Sequence, residues 1–489
     1  MHRALFGWIA VAAAALWGLG HPAVSHAARV IVLERDGGAV VRDDPFLAVG
    51  PMPVPSRSTG AHASVVSPRA QISDRNVRTV LAALSRAHAI STGMYRRYLG
   101  SFNAALSAVK RLSGTRALEL EAVIENLHAI AADGMLTPSR LPALFLTLDR
   151  NRHWWTTGPM LSSGQRVQFA GSQLVWQYYP GQGIELQQLG SWGQADWMYE
   201  AGPKYWRRLR SLVDELIPLA AERGGGPAWE YYFNFDGGTP PWTSAMSQGT
   251  AVQALTQTYE ATHQGSYLAL ARRSLAVFKD GPPTGVAVPT SLGRRYLLYS
   301  FAPDAGDEVI NGFLQSLIGL FDYATASGDA EGWRLFRAGD AEARAELPSY
   351  DTGAWSLYQP GQEDTLDYHE LVTGFLEQLC TRTRANLYCT TAKHFRADLK
   401  EPPNIELLTR RLHVGGTLSI RFRVSKIARV GITIVLRGRT IFLTSATFPY
   451  GTHSFAVPAL PRPGSYEIQL DGTDLAGNYK QTSWTVTAS

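Results

Sequence analysis

From Ser73 to Arg150 apolar residues return every three or four positions, as in Val80, Leu81 and Leu84 and again in Leu106, Val109 and Leu112. That spacing predicts several amphipathic helices over 73–157. The texture changes over 158–200, where "RVQFAGSQLVWQYYPGQGIELQQLGSW" alternates apolar and polar positions between glycines and predicts a β-rich region. Helices resume in "KYWRRLRSLVDELIPLAAERGGG", which ends on a glycine run suited to stopping a helix, and two more are joined at His263–Ser266. "EVINGFLQSLIGLFDYATASGD" is apolar on nearly every side, the mark of a buried helix, and places Gly312 and Gly319 where helices can approach closely. Paired helices of this kind predict an α/α barrel, or toroid, over 201–400.

Past Pro402 the period falls to two: Leu418, Ile420, Phe422 and Val424, then Val430, Ile432 and Ile434, then Tyr466, Ile468 and Leu470, then Trp484 and Val486. Turn signals such as "DGTDLAGN" divide these runs, and 401–489 reads as an immunoglobulin or fibronectin-like β-sandwich, expected to act as a spacer. The fold class is therefore multidomain α+β. Before the first helices, "RVIVLERDG" is strand-like and the Pro, Ser and Gly that follow make 28–72 an extended arm or linker.

Residues 1–27 have the form of a secretory signal peptide: Arg3, an apolar run of 16 residues from Leu5 to Gly20, and small residues up to Ala27. The run is short for a membrane span, no later stretch is long enough, and the mature chain is expected to be secreted or held at the cell surface. Lys and Arg exceed Asp and Glu by 46 to 41, a mildly basic balance that favours an acidic polysaccharide as partner and gives no reason to expect nucleic acid. Cys380 and Cys389 flank a polar turn and are expected to form one local disulfide, since two thiols without a histidine cluster make a poor zinc site. No calcium-loop spacing is present, so neither a metal nor another cofactor is expected, although acidic loops leave calcium open.

Three stretches carry candidate chemistry. "PPWTSAMSQG" starts a helix whose free N–H groups suit a carboxylate, with Trp242, Ser244 and Gln248 as candidate contacts and Asn311, early in the buried helix, as another. "RRYLLYSFAPD" sets Arg294 and Arg295 beside Tyr296 and Tyr299, and "YDTGAWSLYQPGQEDTLDYHELV" holds Tyr350, Tyr358 and Tyr368 next to His369. Inverting a carbon beside a carboxylate needs a base on one face and an acid on the other, and a phenol serves as either if cations draw its pKa toward neutrality. The enolate so formed is neutralised by arginine, histidine or helix N-termini. A hydrolase would need paired carboxylates, for which Asp351, Glu363, Asp364 and Asp367 are available.

In order along the chain, "WTSAMSQGTAVQALTQTYEAT", "VINGFLQSLIGLFDYA", "LPSYDTGAWSLY" and "LDYHELV" resemble the C-terminal domain of the D-glucuronyl C5-epimerases. "WQYYPGQGIELQQLGSWGQA" resembles the β-rich part that precedes it, so the likeness covers roughly 150–385. The resemblance implies inversion of C5 of glucuronate to iduronate in a heparan-type polymer, without a redox cofactor. It implies Tyr299, Tyr358 and Tyr368 as catalytic, with Tyr368 and one of the others acting from opposite faces of the ring. His369, Arg294 and Arg295 become substrate contacts, and a homodimer is compatible with the sequence. Two positions depart from the animal members: Leu298 stands where a glutamate precedes the first tyrosine, and Gly361 where an arginine follows the second. A polysaccharide lyase using the same enolate, and a non-catalytic glycan-binding protein on the same fold, are the alternatives.

Overall fold

The computed structural model describes residues 28–47, 68–302 and 308–489, and the expected signal peptide lies outside them. β1 (Ala28–Leu33) and β2 (Ala39–Asp44) form a hairpin, followed by four helices, α1 (Pro68–Arg86), α2 (Thr92–Val109), α3 (Gly114–Ala132) and α4 (Leu141–Thr157). Then come β3 (Arg166–Phe169), β4 (Trp176–Tyr179) and β5 (Gly183–Leu186), in one sheet of order β2-β1-β3-β4-β5. β1 runs parallel to β3, so the four helices form the crossover between them. The strand-like start of the expected arm is thus built into the sheet, where Val30, Val32 and Leu33 are buried.

Alternation divides this sheet into two unlike faces. Val167, Phe169, Trp176, Tyr178, Ile184 and Leu186 face the crossover, where Trp154 meets Phe169 and Trp155 meets Tyr178 edge-on at 5.8 and 5.4 Å. Two polar side chains of the crossover grip the β4–β5 turn. Glu119 accepts the N–H groups of Gly181 and Gly183 and the hydroxyl of Tyr178, and the Asn151 amide bonds both N–H and C=O of Ile184, as a neighbouring strand would. Gly183 at φ +85° is required there, since a Cβ would lie 2.5 Å from Val123. Along β3, β4 and β5 the opposite face carries polar side chains and Tyr179, with the apolar Val30 and Val32 of β1 beside them, and it turns toward the remaining helices.

Those helices follow a repeated plan. After α5 (Gln188–Glu200), α6 (Trp206–Leu216) and the short pair β6 (Ala221–Arg223) and β7 (Gly226–Ala228) come α7 (Ala245–Thr262) and α8 (Gly265–Ser274). The pair β8 (Ala287–Pro289) and β9 (Arg294–Tyr296) precedes α9 (Ile310–Ser327) and α10 (Ala330–Glu346). A last pair, β10 (Leu357–Gln359) and β11 (Gln362–Glu363), precedes α11 (Leu366–Thr383) and α12 (Asn386–Asp398). α5, α7, α9 and α11 pack side by side in that order, and each is backed by the helix that follows it. α7, α9 and α11 end alike, on His263, Gly328 and Arg384 with φ of 56°, 67° and 55°, and one more residue starts the backing helix. A left-handed cap of this kind satisfies the last carbonyls and reverses the chain in two residues. Residues 188–200, expected as part of a β-rich region, are helical because α5 supplies the first member of this row.

Cys380 in α11 and Cys389 in α12 are joined by a disulfide across the last of these turns. The C-terminal region is all β: β12 (Ile405–Leu407), β13 (Leu418–Val424), β14 (Ala428–Leu436), β15 (Arg439–Phe448), β16 (Gly451–Val457), β17 (Gly464–Asp474) and β18 (Tyr479–Ala488). They form two sheets, β12-β13-β16 and β15-β14-β17-β18, which share one apolar core containing Ile420, Phe422, Ile432 and Ile468. Among the described residues no helix is long and apolar enough to cross a membrane.

α7 and α9 touch backbone to backbone. A Cβ on Gly319 would lie 2.0 Å from the Gly249 carbonyl oxygen, and one on Gly249 would lie 2.6 Å from Ser316 Cα, so neither position has room for a methyl group. We expect Gly319→Ala to force the pair apart and cost about 1–3 kcal/mol, read as a lower urea midpoint at unchanged slope. An unchanged midpoint would mean that the two helices are not seated this closely.

Candidate active site

The stretch from Trp355 to His369 is a hairpin held onto the start of α11. The Trp355 indole N–H donates to the Asp364 carbonyl at 2.9 Å, and its ring lies flat on the His369 imidazole, centroids 3.7 Å apart and planes 9° from parallel. Gly361 makes the turn at φ +81°, a conformation that an arginine would adopt only with strain. The departure from the animal pattern at this position is therefore a requirement of the tight turn. The hairpin brings the half-buried Tyr358 against the half-buried Tyr368, rings 5.1 Å apart and tilted by 53°.

Tyr358 and Tyr368 are thus in contact. Two rings that sandwich a sugar need a separation of about 7 Å, twice an ordinary carbon contact. They share one side of the site, and the opposite face of a substrate ring must be served by something else.

Across from them stands the polar face of the sheet. Arg166, Gln177 and Glu185 are directly paired across β3, β4 and β5, so their side chains form a row, with Tyr179 and Gln187 one step further along. Gln187 donates its amide to the Tyr179 hydroxyl. Gln177 and Glu185 are 0 and 2% exposed, yet both amide atoms of Gln177 and one oxygen of Glu185 have no hydrogen-bond partner among the described residues. Buried polar atoms are seldom left so, and a cluster of them marks a surface built to bind polar groups. Tyr179 is where the two sides meet: its phenol lies within electrostatic reach of Tyr368 from α11 and of Arg166 and Glu185 from the sheet. Tyr179, Arg166, Gln177 and Glu185 were not among the candidates from sequence, although the period-two pattern of "RVQF" and "WQYYPGQGIELQQ" places all four on one face.

Titration here runs opposite to expectation. Burial, with Asp364 and Asp367 nearby, pushes the Tyr368 phenol up to about 12, so it is a proton donor at neutral pH. Burial also lifts Tyr179, against the pull of Arg166, and lifts the Glu185 carboxyl well above the ordinary carboxylate range. The ionised form of a carboxyl lifted in this way is a stronger base than an exposed carboxylate.

The other candidates are mostly structural. His369 is fully buried: Nε2–H donates to the Phe395 carbonyl at 2.9 Å, while Nδ1 accepts from the Ser356 N–H at 3.2 Å and faces the Ser356 hydroxyl at 2.7 Å. It cannot touch a substrate, and burial lowers its pKa to about 4, so it carries no charge with which to neutralise an enolate. Arg295 is buried against Glu346 and Tyr350, and Arg294 donates to the Lys279 carbonyl. Ser244 caps α7 through the Ser247 N–H, Gln248 accepts from the Trp229 N–H, and Trp242 donates to the Phe233 carbonyl. Asn311 is buried near the start of α9, and Leu298 fills the space against Gly312. Tyr299 sits in an aromatic nest, stacked on Phe301 at 5.0 Å and edge-on to Trp242, and is linked to the site through Phe235, whose ring lies 6.2 Å from that of Tyr179. Among the described residues no group of three or more His, Cys, Asp or Glu is placed to hold a metal ion.

The Ser356 hydroxyl has one proton and two acceptors, Asp364 at 2.5 Å and His369 Nδ1 at 2.7 Å. The hydroxyl donates to Asp364 while that carboxyl is ionised; burial raises Asp364 to about 7, and once protonated its own O–H donates to the hydroxyl, which then turns to donate to Nδ1. His369 contributes stability in full above about pH 6.5 and loses it down to about pH 4, because only the unfolded chain gains the proton there. Asp364 works the other way: between about pH 4 and 7 the folded state holds the extra proton, so its contribution grows as pH falls. We expect Asp364→Asn to remove this compensation, so that from pH 6.5 to 4.5 the variant loses stability relative to the parent by about 1.4 kcal/mol per pH unit in chemical denaturation. Parallel profiles would refute the shared-proton chain.

Residues 225–397 match the family model described as D-glucuronyl C5-epimerase C-terminus. A D-glucuronyl C5-epimerase of Caenorhabditis elegans is 33% identical over 132 residues, 24% of this chain and 21% of that protein. An uncharacterized protein of Methanocaldococcus jannaschii is 26% identical over 174 residues, 34% of this chain and 56% of that one. The chain thus spans about half of the one relative and about a fifth of the other. Among solved structures, a sugar epimerase from a ruminal bacterium superposes with a TM-score of 0.31 at 13% identity, over 44% of this chain and 59% of that one. An unsaturated glucuronyl hydrolase specific for heparin does so with a TM-score of 0.28 at 13% identity, over 72% and 92%. Likeness at that level carries no argument about fold or function. The segment 225–397, which carries Tyr299, Tyr358 and Tyr368, is thus the part of the chain that is similar to the D-glucuronyl C5-epimerase C-terminus.

Proposed function

We propose that the protein is a secreted uronate C5-epimerase acting on an acidic polysaccharide, without a redox cofactor. In this reading the row α5, α7, α9 and α11 closes into an α/α barrel, and the C-terminal sheets form an immunoglobulin-like sandwich. The observation that carries it is the place of Tyr179, on one sheet face with Arg166 and Glu185 and within electrostatic reach of Tyr368.

The half-buried Arg166 offers its guanidinium to the uronate carboxylate and to the dianionic enolate that forms when the C5 proton leaves. Glu185, with Tyr179, takes that proton on the sheet side, in place of the carboxylate lost at Leu298. Tyr368, with Tyr358 beside it, returns a proton to C5 from the side of α11. One C–H bond breaks and one forms on the opposite face, so the product is the C5 epimer and no bond of the polymer is cut.

The test is incorporation of deuterium at C5 of glucuronate polymers such as heparosan in heavy water, followed by NMR. We expect uptake in the parent protein, a loss of about 10²–10⁴-fold in Tyr368→Phe, and a comparable loss in Glu185→Gln. Full activity in Tyr368→Phe would overturn the assignment. Ultraviolet absorbance of an unsaturated uronate growing with chain cleavage would make the protein a lyase, and binding without exchange would make it a glycan-binding protein.

A further inference from the structure

The all-β C-terminal region meets the rest of the chain at the hairpin that presents Tyr358. Glu363, on β11, accepts the backbone N–H of Ile427 at 2.7 Å and of Tyr450 at 2.6 Å, one from the β13–β14 turn and one from the β15–β16 turn. Between them Lys426 is 1% exposed. Its ammonium donates to the carbonyls of Asp398 and Glu401, both at 2.6 Å, and to Asp474 at 3.1 Å, which uses all three of its protons. The same ammonium lies 5.1 Å from the centre of the Trp355 ring, whose face is stacked on His369. A cation, an indole and an imidazole are therefore layered in series, and His369 is the residue next to Tyr368.

Nothing in the folding of two β-sheets requires a lysine to be buried against the neighbouring region. Burying an ammonium is costly unless each proton is accepted, and here two of the three acceptors belong to the end of α12 and the segment after it. Lys426 thus ties three things together: the tail of the helical row, Asp474 in β17, and the ring on which the hairpin rests. Glu363 ties the hairpin to the same two turns from its other end.

We propose that the C-terminal β-region is a working part of the site, with Lys426 and Glu363 as positioning residues that hold the 355–369 hairpin so that Tyr358 and Tyr368 stay apposed. This departs from the expectation of a spacer, and it rests on the reading of these tyrosines as the groups that act on a uronate polymer. Lys426 acts through the stacked rings and Glu363 through the backbone of the hairpin, and neither touches substrate.

The test uses the full chain with Glu363→Ala and, separately, Lys426→Met. Glu363→Ala leaves no buried charge unpaired and is the variant that keeps the test sound if Lys426→Met fails to fold. We expect C5 exchange to fall about 10–100-fold in kcat, the scale of a misplaced reacting group, with KM for the polymer changed by less than about threefold. We also expect amide hydrogen exchange over 356–363 to speed up at least about tenfold while α7 and α9 stay protected. Unchanged kcat with unchanged protection of 356–363 in a folded variant would overturn the proposal. If the parent protein exchanges C5 in no uronate polymer, the proposed function fails. The hydrogen-exchange arm then decides alone, faster exchange supporting the mechanical coupling and no change overturning it.

Discussion

The contact on which the helical region depends is the crossing of two backbones at Gly249 and Gly319. With no side chain between the backbones where Gly249 meets Gly319, both helices are enclosed almost all round, and further along Gln253 of α7 accepts from the Gln315 amide of α9. The spacing of the row follows from this contact, and the row in turn sets where the start of α11 stands relative to the sheet. Apolar burial supplies most of the stability here. The glycines decide the distance at which that burial is collected.

At the site the protein does what a solvent would not. It buries the Tyr179 phenol, the Glu185 carboxyl and the uncharged His369, and among the described residues it leaves one oxygen of that carboxyl without a partner. Burial penalises every charged form, so the phenols and carboxyls move up and the imidazole moves down. The expectation that cations would draw a tyrosine toward neutrality took account of neighbouring charge and left out desolvation, the larger effect at Tyr368. The reactive character of such a site lies in the carboxyl, made more basic by burial, more than in the tyrosines.

Periodicity made much of the fold legible. The buried helix with Gly312 and Gly319, the helix pair broken at His263, the β-strands of the C-terminal region and the pairing of Cys380 with Cys389 all follow from local pattern, because each depends on neighbours within a few turns of chain. What was not legible depends on long-range contact. β1 joins the sheet through a parallel pairing to β3 across four helices, and no local signal announces it. His369 beside Tyr368 looked like a ligand for substrate, and only the packing of Trp355 and Phe395 reveals that it is sealed. Polar residues at alternate positions of a strand ordinarily face water, so the pattern alone does not announce that Arg166, Gln177 and Glu185 lie under the protein's own elements. β15, largely exposed along its length, carries too weak an apolar alternation to be noticed.

One apolar cluster runs without a break from Leu33 in β1 to Phe395 in α12, and Trp229 in the matched segment meets Trp192 before it at 4.6 Å. Glu230, fully buried, is paired with Arg223 and with Arg140, the latter from the crossover helices far outside that segment. The unit of inheritance that relatives share is therefore smaller than the unit that folds. Cut at its own boundaries, residues 225–397 would expose half of a core to water and strand a buried carboxylate without either arginine. The preceding helices and sheet are the other half of one molecule, and an exchange of substrate-recognition parts between relatives would have to follow the seams of the core and not the ends of the alignment.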